Sequence, residues 1–214
     1  ILPILDESVP VISVTKGMLD YEDGTMQTYP EYWMSKLPEG SKQEIYAIGG
    51  PCTARDLADH DPSFVGYCGP KMETLHWIRS LFATDYYVIS LTVDVVGLEC
   101  AVALKNGYAL GTALAIGMAE KAGDDGINHN NSEAALFQES VKEMLDLLKI
   151  VGGGVDNIMY AAGDLNVTVA AGRSRTVGLL LGKGLSIDEV MEQLKGQTLE
   201  AVVIATRTAR AVKA

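Results

Sequence analysis

The sequence predicts an α/β portion followed by an all-helical portion. Up to Val93, short β-branched apolar runs alternate with helical or loop segments. From Asp94 onward, apolar residues recur at helical spacing over long stretches, with little strand signal. Glycine and proline clusters punctuate both parts. The 214 residues are 48% hydrophobic, which excludes a disordered chain and leaves enough apolar surface for one large domain or two small ones. The change of character divides the chain into residues 1–93 and 94–214.

The run Val9–Thr15 reads as a strand ending in a turn at Lys16-Gly17. Met18–Gly40 mixes acids, aromatics and Pro30, and predicts a loop with a short helix near Glu31–Leu37. Glu44–Ile48 is a second strand, stopped by Gly49-Gly50-Pro51. Ser63–Tyr67 is a third, stopped by Gly69-Pro70. Met72, Leu75, Ile78 and Leu81 give Lys71–Phe82 helical spacing, and Tyr86–Val93 is a fourth strand. Val95–Ala122 is one long apolar helix. Glu99, Lys105 and Asn106 interrupt it, and the uncharged stretch Gly107–Ala119 is too short to cross a bilayer. A polar loop, Gly123–Asn131, leads to Ser132 as an expected cap for a helix running to about Ile150, which Gly152-Gly153-Gly154 breaks. A further helix opens at Gly172-Arg173-Ser174-Arg175 and ends near Gly182. Ser186 caps another, with Asp188 and Glu189 in its first turn, and the last begins near Thr198.

Seventeen Lys and Arg face 28 Asp and Glu, a formal charge of −11. This balance argues against nucleic acid and anionic membranes as partners, since both need clustered positive charge. Cys52, Cys68 and Cys100 are odd in number and widely spaced, which predicts free thiols in a reducing compartment. His60, His76 and His129 lack metal spacing. Gly178-Leu179-Leu180-Leu181-Gly182-Lys183-Gly184 is one residue short of a phosphate-binding loop and has glycine where a magnesium-binding hydroxyl is needed.

Three features point to chemistry. Lys105 lies in the middle of the most apolar helix, where it either reaches the surface along its aliphatic stem or is held in a pocket. Burial would lower its pKa and make it a usable acid/base. Arg173 and Arg175 beside a helix start form a candidate phosphate site. Gly50 follows a strand and permits close backbone approach of a ligand, and Lys16 has the same address at the end of the first strand.

Taken in order, Val14-Thr15-Lys16-Gly17, Gly50-Pro51-Cys52-Thr53-Ala54, Ala103-Leu104-Lys105-Asn106, Asn131-Ser132-Glu133-Ala134-Ala135, Ala162-Gly163-Asp164-Leu165, Gly172-Arg173-Ser174-Arg175 and Gly196-Gln197-Thr198-Leu199-Glu200 resemble the NAD(P)-dependent glycerol-3-phosphate dehydrogenase family. The resemblance runs over nearly the whole chain. It implies the C-terminal half of a Rossmann-like dinucleotide-binding domain followed by an all-helical substrate domain. It also implies Lys105 as catalytic acid/base toward dihydroxyacetone phosphate, with Lys16 as a second catalytic lysine. By the same resemblance Asn106, Asp164, Thr168, Arg173 and Ser174 would line the substrate site. Gly50, Cys52, Ala54, Arg173 and Glu200 would lie on the NAD or NADP side. A cytoplasmic homodimer serving glycerophospholipid and carbohydrate metabolism is part of the same expectation.

Ser174, Cys52 and Glu133 depart from the family's usual Asn, hydrogen-bonding residue and Lys. The resemblance places a βαβ unit with a GxGxxG turn ahead of Ile1 and a tail beyond Ala214. The chain is therefore read as a piece of a longer protein, expected to bind NAD(H) weakly or not at all by itself. Two other readings remain at this point: a related dehydrogenase of another 2-hydroxy or opine-type substrate, and a non-catalytic helical fragment.

Overall fold

The computed structural model describes residues 4–123 and 130–214. Its main sheet has the order β1-β4-β5-β6, built from Val11–Ser13, Ile45–Gly49, Ser63–Cys68 and Tyr87–Thr92. β1 pairs parallel with β4, β4 antiparallel with β5, and β5 parallel with β6. Tyr46 opposes Ile12, Ile48 opposes Tyr67, and Gly66 opposes Ser90. The sheet is filled from both faces. Helix α3 (Met72–Phe82) buries Leu75 and Ile78 against Tyr46, Val65, Tyr67 and Ile89. On the other face, Leu98 and Val102 of helix α4 (Val95–Lys121) pack on Ala47 and Cys68. The four strands and the helix α3 thus match the expected α/β portion, although β1 is only three residues long where Val9–Thr15 was expected.

Two elements correct the reading of Met18–Gly40 as a loop with one helix. Met18–Asp20 (β2) and Met26–Thr28 (β3) form an antiparallel hairpin. Helix α1 runs over Tyr29–Ser35, starting before the expected Glu31. The reason is local: the backbone N–H and the hydroxyl of Thr28 both donate to the Glu31 carboxylate, at 3.0 and 2.7 Å, and Pro30 is preset for a first helical turn. A five-residue helix α2 (Ala54–Ala58) also follows the Gly50 turn, its start fixed by the Asp56 N–H donating to Thr53 Oγ1.

The helical portion is organised around α4. Helices α5 (Asn130–Ile150), α6 (Ile158–Ala170), α7 (Arg173–Gly182), α8 (Ile187–Gln193) and α9 (Glu200–Lys213) follow in order. Cys100, Ala101, Leu104 and Ala109 of α4 meet Met144 and Leu148 of α5, Ala161 and Leu165 of α6, and Ile204 of α9 in one buried cluster. The start of α4 is tied to the turn before α6. Asp94 accepts from Gly97 N at 2.8 Å, and its other oxygen accepts from Gly154 N and Asn157 Nδ2, both at 2.6 Å. Helix α6 was not resolved by pattern, because Ile158–Ala170 carries almost no polar face. Ser132, expected as a cap, lies inside α5, two residues past its first described residue. Most of the expected loop Gly123–Asn131, with His129, lies outside the described residues.

The two glycines that mimic a phosphate loop have a packing role. A Cβ on Gly178 would lie 2.3 Å from the Leu110 carbonyl, and one on Gly182 2.1 Å from the Leu114 carbonyl. Only glycine lets α7 lie so close to α4. That contact carries the N-terminal end of α7 to Asn106.

Candidate active site

Lys105 does not reach solvent. It is 7% exposed and held between two elements. Its ammonium lies 2.9 Å from Asp164 Oδ1 and donates to Thr168 Oγ1 at 2.6 Å. Asp164 and Thr168 stand one turn apart on α6, and the Thr168 hydroxyl in turn donates to the Asp164 carbonyl at 2.6 Å. Lys16 comes from the connection between β1 and β2. Its ammonium lies 2.5 Å from Asp164 Oδ2 and donates to the Gly50 carbonyl at 3.3 Å. One buried carboxylate thus bridges two lysines, Lys16 from the sheet-bearing part and Lys105 from the middle of the chain.

The balance of charge sets what this cluster can do. Burial pushes the Lys105 ammonium below the ordinary lysine range; the Asp164 carboxylate pulls it back up, and the second lysine pushes it down again. An ammonium with a lowered pKa, beside a hydroxyl and an anion that fix its direction, is an acid ready to donate to a developing oxyanion.

The Gly50 turn reaches this cluster for a steric reason. Gly50 has φ +117°, a conformation that side chains rarely adopt, and packs on the backbone of Val65. Pro51, next to it, lies against Gly163 of α6, where a Cβ would approach the ring to 3.0 Å. Sheet and helices therefore meet at Lys16, Gly50, Asp164 and Lys105.

The remaining expected residues arrange around this centre. Asn106 is buried beside Lys105, and Ser174 Oγ donates to Asn106 Oδ1 at 3.4 Å. Arg173, half-exposed in the first turn of α7, lies 3.8 Å from Glu200, the first residue of α9. Glu200 and Asn106 line one small cavity with Lys16. The expected pair of guanidiniums is not formed: Arg175 turns back and donates to the Val169 carbonyl at 2.9 Å, which leaves Arg173 as the outward one. Cys52 packs against the tyrosine cluster of the sheet, and Ala54 is exposed at the start of α2. Neither touches the lysine cluster. Glu133 is half-buried in the first turn of α5.

The profile described as "NAD-dependent glycerol-3-phosphate dehydrogenase C-terminus" matches residues 94–214. The chain belongs to this family. Among its curated relatives, an NADP(+)-dependent glycerol-3-phosphate dehydrogenase of Archaeoglobus fulgidus is 29% identical over 91% of this chain and 59% of its own length. A glycerol-3-phosphate dehydrogenase [NAD(P)+] of Enterococcus faecalis is 31% identical over 90% of this chain and 54% of its own length. The chain spans little more than half the length of these relatives. The crystal structure of the glycerol-3-phosphate dehydrogenase of Coxiella burnetii superposes with a TM-score of 0.82 at 22% identity, covering 99% of this chain and 61% of that one. A structure of the enzyme from Dunaliella salina gives the same TM-score over 36% of its chain. These likenesses establish the fold: a sheet-bearing part of a Rossmann-like domain joined to a helical bundle.

Two residues escaped the sequence reading. Glu99, noticed only as an interruption of an apolar helix, is wholly buried with neither oxygen hydrogen-bonded among the described residues. Arg207 of α9 donates to the Met18 carbonyl at 2.5 Å and faces Asp20 at 3.5 Å, fastening the hairpin beside the site. Nothing local in the sequence marks Arg207, since its partners lie far back in the chain.

Proposed function

We propose that the protein interconverts dihydroxyacetone phosphate and sn-glycerol 3-phosphate with NAD(H) or NADP(H). The observation that carries this is the bridge Lys16–Asp164–Lys105, closed by Thr168. In ketone reduction the carbonyl carbon gains a hydride while its oxygen gains charge. Lys105 gives that oxygen a proton and is left as a neutral amine. Lys16 draws on the same oxygen electrostatically, and Asp164 keeps both ammoniums in place. Asn106 and Ser174 orient the substrate, and Arg173 holds its phosphate, so that binding energy remote from the reacting carbon fixes its position.

The residues present fit a nicotinamide. Gly50 has no side chain, its turn is buried against β5, and its carbonyl already meets Lys16, so a flat ring laid on the turn adjoins the lysines. By the family resemblance Gly50, Cys52 and Ala54 would lie on the cofactor side of the sheet, Gly50 alone beside the lysines, with Arg173 and Glu200 on the helical side. When bound, the nicotinamide supplies the hydride. The division at Asp94 into a dinucleotide part and a substrate part belongs to the same reading, as do a homodimer and a cytoplasmic role in glycerol-lipid supply. Among the described residues no helix is long and apolar enough to cross a membrane.

The test is NADH and NADPH oxidation by the full-length protein with dihydroxyacetone phosphate, beside Lys105→Ala. Loss of general acid catalysis predicts a fall of about 10²–10⁴-fold in kcat for the variant. Equal rates in both proteins, or no oxidation with either cofactor, would overturn the reading.

A further inference from the structure

Helix α9 forms one wall of the cavity beside Lys16. Glu200, Ile204 and Arg207 follow one another at helical spacing and share one face of α9. With Lys16, Tyr29 and Asn106 they line a cavity of about 120 Å³. Glu200 faces Arg173 at the start of this helix. Arg207, two turns on, is tied to the residues that follow Lys16. Its Nη1 donates to the Met18 carbonyl and, at 3.3 Å, to the Tyr29 hydroxyl. Its Nε lies 3.5 Å from Asp20.

Met18 and Tyr29 bracket the peptide next to Lys16. Gly17 has φ +152°, a conformation that side chains rarely adopt, and it lies against the Tyr29 ring, where a Cβ would come within 2.6 Å of Cε2. The ring is itself fixed. Tyr29 opens α1 directly after the Thr28 cap, and Trp33, one turn on, stacks on it with ring centroids 5.8 Å apart. One guanidinium thus holds both the carbonyl after Gly17 and the ring beneath it. Arginine suits this task, because its planar fork serves two acceptors and still faces a carboxylate.

Lys16 depends on such support. β1 ends at Ser13 and β2 begins at Met18, so no strand pairing fixes the lysine's own backbone. Its side chain is 22% exposed, and its flexible stem has many rotamers to choose among. Resting on the function proposed above, we propose that Arg207 is a positioning residue for Lys16, acting through Tyr29 and the Met18 carbonyl. It gives no group to the reacting atoms. It fixes the Gly17 peptide so that the lysine stem leaves the chain toward Asp164, where its ammonium meets the substrate oxygen. Without the guanidinium, the hairpin and α1 shift against α9 and carry Lys16 with them. A displacement of about 1 Å can cost about 10²-fold in rate.

The experiment is a double-mutant cycle on kcat/KM for dihydroxyacetone phosphate in the full-length protein. It uses Arg207→Met, Lys16→Met and the two together, beside Arg210→Met and Lys105→Ala, with thermal unfolding to show that each is folded at the assay temperature. Lys16→Met is expected to lose about 10²–10³-fold, as for one oxyanion donor. Arg207→Met loses about tenfold or more with Lys16 in place and about twofold or less without it, the coupling expected of residues that act as a unit. Arg210→Met removes the other cation from Asp20, keeps both bonds of Arg207, and stays within about twofold of the wild type. Equal losses from Arg207→Met in both backgrounds overturn the proposal. So does a wild-type rate in Arg207→Met or Lys16→Met, or a loss in Arg210→Met as large as in Arg207→Met. Where Arg207→Met does not fold, Arg207→Lys takes its place under the same criteria, since a lysine keeps the charge opposite Asp20 without the fork. Failure of that variant to fold as well assigns Arg207 to stability alone and overturns the proposal. An inactive wild type, or Lys105→Ala as fast as the wild type, would instead overturn the proposed function.

Discussion

Burial works against the Lys105 ammonium, and Asp164 and Thr168 meet it to offset that cost. Asp164→Asn removes the anion that lies between two ammoniums, and loss of one partner of a buried pair costs about 3–5 kcal/mol. The pH dependence has a definite sign. The pKa of Lys105 is lowered in the fold, so its charged form is the costly one; the cost is present at low pH and relieved as pH rises through the folded pKa. Urea unfolding of Asp164→Asn against the wild type is therefore expected to show a larger deficit at pH 7 than at pH 10; an equal deficit at both would mean that the charges are not its source. Glu99 works the other way. Its pKa is raised from 4.5 to about 8, so the stability it contributes is full below about pH 4.5 and is lost as pH climbs through about 8. Glu99→Gln should therefore gain on the wild type by a few kcal/mol between those limits, read as a widening gap in Tm. The lysines and Asp164 stand in motifs that the sequence makes legible, and Thr168 came in only with the family resemblance. The burial of Glu99 was not legible, because a lone acid in an apolar helix looks the same whether it escapes to solvent or is trapped.

Helix α7 delivers Arg173 and Ser174 to Asn106 by lying against α4 on Gly178 and Gly182. Gly182→Val would force side-chain atoms into the Leu114 carbonyl, an overpacking costing about 1–3 kcal/mol or more. If the proposed function holds, it should also raise KM for dihydroxyacetone phosphate in the full-length protein, since the N-terminal end of α7 must move. Gly111→Ala is the control. It is exposed on the same α4, nothing lies within 4 Å of its added Cβ, and it should stabilise by about 0.5–1 kcal/mol with KM unchanged. Thermal unfolding and steady-state kinetics of both variants check this; if Gly182→Val is as harmless as Gly111→Ala, the close crossing is wrong. Elements with strong local signals were read nearly to the residue, such as α3 from its Leu75–Ile78 spacing and α8 from its Ser186 cap with Asp188 and Glu189 in the first turn. The hairpin at Met18–Thr28 was missed because its strands are three residues each and tertiary contacts through Arg207 hold it. Helix α6 was missed because contacts on several sides leave it no polar stripe to betray its period.

Whole-molecule behaviour follows from where α4 begins. The change of sequence character at Asp94 is real, yet no linker stands there: β6 ends at Thr92 and α4 starts at Val95. The first turns of α4 form the floor of the sheet, with Leu98 and Val102 wholly buried against Ala47 and Cys68. Residues 94–214 expressed without 1–93 would expose those two side chains, at about 1.5–3 kcal/mol each. They would also lose Lys16 from Asp164, and with it the hairpin that Arg207 and Arg210 hold through Asp20. Residues 1–93 and 94–214, separable by pattern, should therefore unfold together. The expected result is one calorimetric transition for the 214-residue chain and a melting temperature lower by ten degrees or more for 94–214 alone, roughly what a loss of 3–6 kcal/mol gives at this size. Two resolved transitions in the whole chain, with 94–214 melting at the temperature of the upper one, would show that the sheet rides on the helices without supporting them.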